Sequence, residues 1–101
     1  MVKAASSAAS SEVAIAVAQF APGDDTDDNL ERMSRLAREA ASRGAALVVF
    51  PEYSSYFTPT MDASWAEHAE SLDGPFVRAM AELATELGIH VVAGLVERAH
   101  E

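Results

Sequence analysis

The residue with the clearest potential for chemistry in this sequence is Glu52, which directly follows Pro51. Residues 45–50 (Ala-Ala-Leu-Val-Val-Phe) are apolar and include β-branched and aromatic types, a pattern typical of a buried parallel strand. Pro51 cannot donate a backbone hydrogen bond, so the strand should end there. Glu52 is therefore predicted just past the carboxyl end of a central strand, where open α/β sheets bind ligands. The spacing alone favours the simpler interpretation, a solvated loop carboxylate.

Three aromatic residues follow the glutamate closely, namely Tyr53, Tyr56 and Phe57. At a strand end, aromatic rings with a few polar groups can line a small-molecule pocket. Tyr53 and Tyr56 are therefore candidate substrate-binding residues. Packing of these rings beneath a loop is the alternative that the sequence leaves open.

Other kinds of site find little support in the composition. The 101 residues include no cysteine, which excludes a cysteine nucleophile, a thiolate metal ligand and a disulfide within this chain. The three histidines have no paired spacing with nearby acids, so no metal site is predicted. No glycine-rich phosphate-binding motif occurs, and no cofactor is expected. Asp24 and Asp25 could hold magnesium, but a helix-cap role explains them more simply.

The charge balance limits the possible partners. Seven basic and 16 acidic residues give a net charge of −9, which argues against nucleic acid or an anionic membrane surface. No apolar run approaches the ~20 residues of a membrane span. Residues 1–12, rich in alanine and serine, are predicted to form a disordered leader, and residues 13–101 a single domain. Residues 13–18 are too short and too weakly flanked by basic residues for a signal peptide, so a cytoplasmic location is expected.

The rest of the pattern predicts an α/β fold that would hold Glu52 at the edge of a sheet. Asp25 or Thr26 begins one helix, and Pro75 and Gly88 bracket another. Strand, helix and strand then form right-handed β-α-β units with parallel strands. The predicted strands are residues 13–20, 46–50 and 89–96, the predicted long helices are residues 26–43 and 75–87, and a short helix precedes the second of these and runs through residue 70.

The first predicted strand is apolar on both faces. Val13, Ile15 and Val17 share one face, while alanines occupy the alternate positions 14, 16 and 18. Such a strand needs cover on two sides. Either the helices divide between the two faces, or half of the covering layer is missing from this chain.

Several blocks, in order along the chain, resemble the nitrilase (carbon-nitrogen hydrolase) superfamily, and together they cover roughly residues 13 to 97. The blocks are Ala18-Gln19-Phe20, Asn29-Leu30, the run from Gly44 to Tyr53, Leu72-Asp73-Gly74-Pro75-Phe76, and the run from Leu87 to Leu95. The resemblance implies a nitrilase-like α-β-β-α sandwich, of which this chain would form only the amino-terminal portion.

The resemblance also implies hydrolysis of non-peptide carbon–nitrogen bonds by a Glu-Lys-Cys triad. In that scheme a cysteine thiolate attacks a small-molecule amide or nitrile, a glutamate acts as general base, and a lysine stabilises the tetrahedral species. Glu52 matches the triad glutamate. Family members commonly assemble, so a homo-oligomer is expected for the complete protein.

The chain departs from this pattern in the other two triad positions. Its only lysine is Lys3, and cysteine is absent. We therefore expect the amino-terminal part of a longer hydrolase, inactive by itself. The alternative is a non-enzymatic doubly wound signalling or interaction module. The sequence does not single out one amide, nitrile or carbamoyl substrate.

Overall fold

The computed structural model describes residues 2–5 and 12–99, which contain four strands and three helices. The strands form one sheet in the order β1-β2-β3-β4. Along the chain the elements are β1 Val2–Ala5, β2 Ile15–Ala18, α1 Thr26–Ser42, β3 Leu47–Val49, α2 Ser64–Glu67, α3 Pro75–Leu87 and β4 His90–Val92.

The predicted parallel arrangement of β2, β3 and β4 is confirmed. Leu47 of β3 lies opposite Ile15 on one side and His90 on the other. All three strands are shorter than predicted, since each begins later and ends earlier than the apolar run that predicted it. The two connections run in the same direction across the sheet, so right-handed crossovers place α1 and α3 on one face. The two helices pack against each other there.

Local signals fix the ends of both long helices. The Asp25 carboxylate accepts a hydrogen bond from the backbone N–H of Asp28 at 3.1 Å and caps α1. Pro75 opens α3, and Gly88 ends it with a φ of 66° that favours glycine. The cap role predicted for Asp25 is therefore confirmed.

The core lies between the helices and the alanine face of β2. Small side chains let a helix approach the sheet closely, and the buried residues on this side include Ala16, Ala18, Met33, Ala37, Ala40 and Val48. The opposite face of the sheet is open, since Val13, Ile15, Val17 and Val92 are 42 to 62% exposed. The helices do not divide between the two faces in the described residues, so the doubly wound alternative is wrong for this part of the chain.

The strand β1 is the main departure from prediction. Val2–Ala5 pairs antiparallel with β2, with Val2 opposite Ala18. The disordered leader predicted over residues 1–12 is therefore wrong for these four residues. An unpaired edge of β2 would expose backbone donors and acceptors, and β1 satisfies them while burying Val2. Met1 and residues 6–11 of the predicted leader lie outside the described residues.

The short helix α2 ends at Glu67, before the predicted end at Glu70. Glu70 forms an isolated parallel bridge with Glu97 instead. Its backbone N–H donates to the Val96 carbonyl at 2.9 Å, and its own carbonyl accepts from the Arg98 N–H at 2.8 Å. The segment after α2 therefore follows the extension of β4 rather than the helix.

Candidate active site

Glu52 lies in a turn just past Val49, the last residue of β3, at the carboxyl end of the sheet. The residue is exposed. The last backbone hydrogen bond before this turn runs from the Phe50 N–H to the Val92 carbonyl, at 2.8 Å. The central position predicted for this residue's strand is confirmed, because β3 has a parallel neighbour on each side. The sheet therefore fixes the backbone that precedes Glu52, while the exposed side chain is accessible to a ligand.

The extension of β4 contacts the backbone of Glu52 directly. A Cβ atom placed on Gly94 would overlap the carbonyl group of Glu52 and would lie only 3.0 Å from its Cα. A side chain at position 94 therefore cannot be accommodated without moving the glutamate backbone. Gly94 also donates its N–H to the Pro51 carbonyl at 3.4 Å.

Ser54 strengthens the same contact from the other side of the turn. Its hydroxyl donates to the Pro51 carbonyl at 2.6 Å, and its N–H donates to the Gly94 carbonyl at 3.0 Å. The residue is fully buried. The Glu52 turn is thus held at Pro51, Ser54 and Gly94, while Glu52 itself is exposed.

A small apolar pocket of about 220 Å³ opens beside the carboxylate. Glu52 supplies its one carboxylate, and the other lining residues are Ala21, Pro22, Pro51, Tyr53 and Phe57. The Phe57 N–H donates to the Gly23 carbonyl at 3.0 Å, which ties the loop after β3 to the loop after β2. The pocket walls therefore come from both loops.

Tyr53 joins this pocket to a cluster of aromatic rings. Its ring stacks on Phe57 with centroids 6.2 Å apart and meets the edge of Trp65 at 5.2 Å. The indole N–H of Trp65 donates to the Thr58 hydroxyl at 2.6 Å. These contacts fix the orientation of Tyr53 next to Glu52, as the pocket interpretation of the sequence requires.

Tyr56 lies elsewhere and does not line the pocket. Its ring is buried, stacks on His68 with centroids 4.1 Å apart and meets Trp65 edge-on at 5.8 Å. Its hydroxyl donates to the Ser64 hydroxyl oxygen at 2.7 Å. These are packing contacts, the alternative that the sequence left open, while substrate binding by Tyr53 and Tyr56 stays a prediction.

A series of hydrogen bonds leads from the Tyr56 hydroxyl through the Ser64 hydroxyl to the Asp62 carboxylate. The Ser64 hydroxyl donates to the Asp62 carboxylate at 2.5 Å, and the Ser64 backbone N–H donates to the same oxygen at 2.9 Å. The hydroxyl bond, followed by the backbone bond, holds the pKa of Asp62 below its ordinary value of 3.8. Asp62 therefore holds Ser64, the first residue of α2, through two hydrogen bonds.

Sequence reasoning missed three buried polar residues behind the site, namely Asn29, Ser54 and Ser55. Asn29 carried two signals: it belongs to one of the blocks that resemble the nitrilase superfamily, and its position in α1 is unusual for a polar residue. Asn29 lies four residues before Met33, in the row of residues that α1 turns toward the core, where an apolar residue is the usual choice. The two serines gave no signal, because serine is common in exposed loops.

Residues 2–5 and 12–99 offer neither a cluster of metal-binding side chains nor a helix that could span a membrane. No group of three or more His, Asp or Glu side chains is placed to hold a metal ion there. Within the same residues, every helix is too short or too polar to cross a membrane.

Residues 14–101 match the carbon-nitrogen hydrolase family, and the chain belongs to that family. A hydrolase from Mycobacterium tuberculosis is 41% identical over 81 residues, which cover 80% of this chain and 28% of that protein. The omega-amidase NIT2 from Danio rerio is 34% identical over 86 residues, 85% of this chain and 30% of the relative. N-carbamoylputrescine amidase from Arabidopsis thaliana is 30% identical over 92 residues, 88% of this chain and 31% of the relative. The chain thus spans less than a third of the length of these relatives.

Proposed function

We propose that this chain is the amino-terminal part of an amidase-type carbon-nitrogen hydrolase, with Glu52 as the general base of a Glu-Lys-Cys triad. The observation that supports it most strongly is the location of Glu52. In a chain of this family, the carboxylate lies at the carboxyl end of a central parallel strand, beside an apolar pocket.

The substrate class in this proposal is a small, non-peptide amide. Two relatives are named as amidases, one acting on an omega-amide and one on N-carbamoylputrescine. The pocket of about 220 Å³ is smaller than most ligand sites, which favours a short substrate group beside Glu52. A nitrile is the second possible substrate class.

The proposed chemistry assigns one proton transfer to Glu52 in each half-reaction. The carboxylate takes the thiol proton as the cysteine sulfur attacks the amide carbon, and the lysine stabilises the oxyanion. The carbon–nitrogen bond then breaks, and the nitrogen leaves with the proton as ammonia or an amine. Water attacks the resulting thioester and gives a proton to Glu52. The carbon–sulfur bond then breaks, and Glu52 returns this proton to the departing sulfur, which releases the acid and the free thiol.

The lysine and cysteine of this scheme are proposed to come from polypeptide beyond the 101 residues. Cysteine is absent from the chain, and its one lysine, Lys3, lies in the edge strand β1. We therefore propose that the 101 residues alone do not hydrolyse amides. We also propose that a second sheet covers the exposed face around Val17 and completes the α-β-β-α sandwich. The complete chains are proposed to form a homo-oligomer in the cytoplasm.

A chimera tests the proposal directly. The 101 residues are fused to the carboxyl-terminal remainder of the Mycobacterium tuberculosis hydrolase, in place of that protein's own amino-terminal segment. Ammonia release is measured with a panel of omega-amides, N-carbamoyl amines and nitriles. We expect hydrolysis by the chimera, no hydrolysis by the 101 residues alone, and a loss of about 100- to 10,000-fold in kcat/KM on Glu52→Gln.

Glu31→Gln is the matched control, because it removes a carboxylate of the same type from the exposed surface of α1. Its ion pair with Arg35, at 3.7 Å, is solvent-exposed and contributes little. Equal activity of the Glu52→Gln chimera and the parent would show that Glu52 is not the base. Ammonia release by the cysteine-free chain alone would contradict the thiolate scheme.

A further inference from the structure

Asn29 is a fully buried polar residue on the inner face of α1. Its helical neighbours in the core are Met33, Ala37 and Ala40, all apolar and all fully buried. A primary amide in such a position costs free energy unless hydrogen bonds satisfy it. The partners of this amide therefore indicate what the residue does.

All the hydrogen bonds of the Asn29 side chain go to loops outside α1. Its Nδ2 donates to the Gly23 carbonyl at 2.9 Å and to the Ser55 carbonyl at 3.2 Å. Its Oδ1 accepts from the Gly23 N–H at 2.9 Å. One side chain therefore joins the loop that follows β2 to the loop that follows β3.

Ser55 extends this connection to the segment that follows β4. The Val96 N–H donates to the Ser55 hydroxyl oxygen at 3.0 Å, and the adjacent Ser54 N–H donates to the Gly94 carbonyl at 3.0 Å. Three segments, each following a different parallel strand, thus meet around one buried amide. Glu52 lies in the turn between Pro51 and Ser54, directly before this junction.

We propose that Asn29 is a positioning residue for Glu52, an inference that rests on the proposed role of Glu52 as general base. Asn29 does not touch the carboxylate. It fixes the carboxyl side of the Glu52 turn through Ser55, while Pro51 and Gly94 fix the amino side. A general base must lie within hydrogen-bond reach of the proton it takes, and a displacement of about 1 Å can cost about 100-fold in rate.

The hydrogen-bond partners of Asn29 distinguish a positioning role from a role in stabilising α1 alone. A buried residue that served only the packing of α1 would be apolar, as Met33 is one turn later. The amide instead directs every hydrogen bond to backbone atoms of Gly23 and Ser55, in two loops that also meet in the Phe57 N–H bond to Gly23. Its removal should therefore loosen the loops more than the helix.

The test compares Asn29→Ala with Met33→Ala in the active chimera. Met33 is buried in the same helix but has no hydrogen bond to either loop, so its truncation reports lost stability alone. We expect Asn29→Ala to lower kcat by about 10- to 100-fold with little change in KM. Met33→Ala should lower the thermal midpoint and leave kcat near that of the parent.

Amide hydrogen exchange gives a readout that does not depend on turnover. Asn29→Ala should accelerate exchange at the N–H groups of Ser54 and Val96, which lie in the loop junction, and leave the Phe50 N–H protected, since it lies in the sheet. Unchanged protection at Ser54 and Val96, or an equal loss of kcat in Met33→Ala, would overturn the inference.

Asn29→Asp is the second variant, for the case that Asn29→Ala does not fold. It keeps an oxygen that can accept from the Gly23 N–H but removes the Nδ2 donor to the Gly23 and Ser55 carbonyls, and a similar fall in kcat is expected. An unchanged kcat in a folded Asn29→Asp chimera overturns the inference. The proposed function fails separately, because in that case Glu52→Gln itself leaves kcat unchanged.

Discussion

The carbonyl group of Glu52 occupies the space that a side chain at Gly94 would need. This contact links the candidate base on the β3 side with the extension of β4, and it is made entirely by backbone atoms. Its position is therefore insensitive to the rotamer of any side chain. The hydrogen bonds of Ser54 to Pro51 and Gly94 hold the two backbones at this separation.

Replacing Gly94 by alanine should displace the Glu52 turn. A methyl group there would overlap backbone atoms, which cannot rotate away, so we expect the Gly94→Ala chimera to be less stable by about 1–3 kcal/mol or more. Denaturant unfolding measures this change, and kcat should fall with it.

Gly23→Ala is the matched control for that experiment. A Cβ at Gly23 would have no atom within 4 Å, and its φ lies outside the left-handed region, so alanine should fit there. We expect a change of less than about 1 kcal/mol, in the stabilising direction if the unfolded chain loses entropy. Equal destabilisation by Gly94→Ala and Gly23→Ala would mean that the close contact with the Glu52 carbonyl does not limit the size of residue 94.

Substitutions of Tyr53 and Tyr56 should have different effects, the first on KM and the second on stability. Tyr53→Leu removes a ring from the pocket beside Glu52, and we expect KM of the chimera to rise by up to about tenfold. Tyr56→Phe removes only the hydroxyl that bonds to Ser64, so stability should fall by about 0.5–1.5 kcal/mol with KM unchanged. Steady-state kinetics and thermal unfolding check both. A raised KM in Tyr56→Phe would support the substrate-binding role that the sequence predicted for it.

The open sheet face should make the isolated 101 residues associate. Val13, Ile15, Val17 and Val92 present a contiguous apolar surface, and such patches promote association even in a chain of net charge −9. We expect light scattering and hydrophobic-dye binding by the parent chain, and a reduction of both in the double variant Ile15→Thr with Val17→Thr.

Val48→Thr provides the comparison for that surface. Val48 belongs to the neighbouring strand but is completely buried under the helices, so the same substitution should destabilise the chain without reducing association. A monomeric parent chain with a cooperative melt and little dye binding would contradict the expected association.

The carboxyl group of Asp62 should titrate below its ordinary pKa of 3.8, because the Ser64 hydroxyl and backbone N–H stabilise its charged form. A depressed pKa in the folded state stabilises the fold above the unfolded value, and this contribution is lost as pH falls through the folded pKa. Ser64→Ala should raise the Asp62 pKa toward 3.8 in an NMR titration.

Ser71→Ala is the reciprocal control. The Ser71 hydroxyl donates to Asp73 at 2.6 Å and is the main cause of the lowered pKa of that carboxyl group. This variant should raise the pKa of Asp73 and leave the pKa of Asp62 where it is. Movement of both pKa values in either variant would indicate a general loss of structure instead.

Much of the fold was predictable because its signals are local. Pro51 ends the third strand of the sheet, Asp25 caps α1, and Gly88 ends α3, each through its own backbone or side-chain chemistry. The burial of the alanine face around Ala16 was not assigned, because alternation shows two faces without showing which one the helices cover.

The supports of the site depend on contacts that are distant in sequence. Asn29 meets Ser55 across 26 residues, and no local pattern encodes such a pair. The strand β1 was missed for the same reason, since an Ala-rich segment has weak strand propensity until the edge of β2 is present beside it. The position of Glu52 beyond the end of a central strand was predictable, because its strand and its proline are adjacent.

The alanine contact between α1 and the sheet also acts as a spacer. Ala37 and Ala40 of the helix and Ala16 of β2 are completely buried, so their methyl groups help to set the height of α1 above the sheet. Because Asn29 is carried on the same rigid helix, that height also sets how far its amide can reach toward Ser55. A single larger residue at Ala37 should lift the helix and withdraw the amide from Ser55, so the position of the Glu52 turn depends on the smallest side chains in the core.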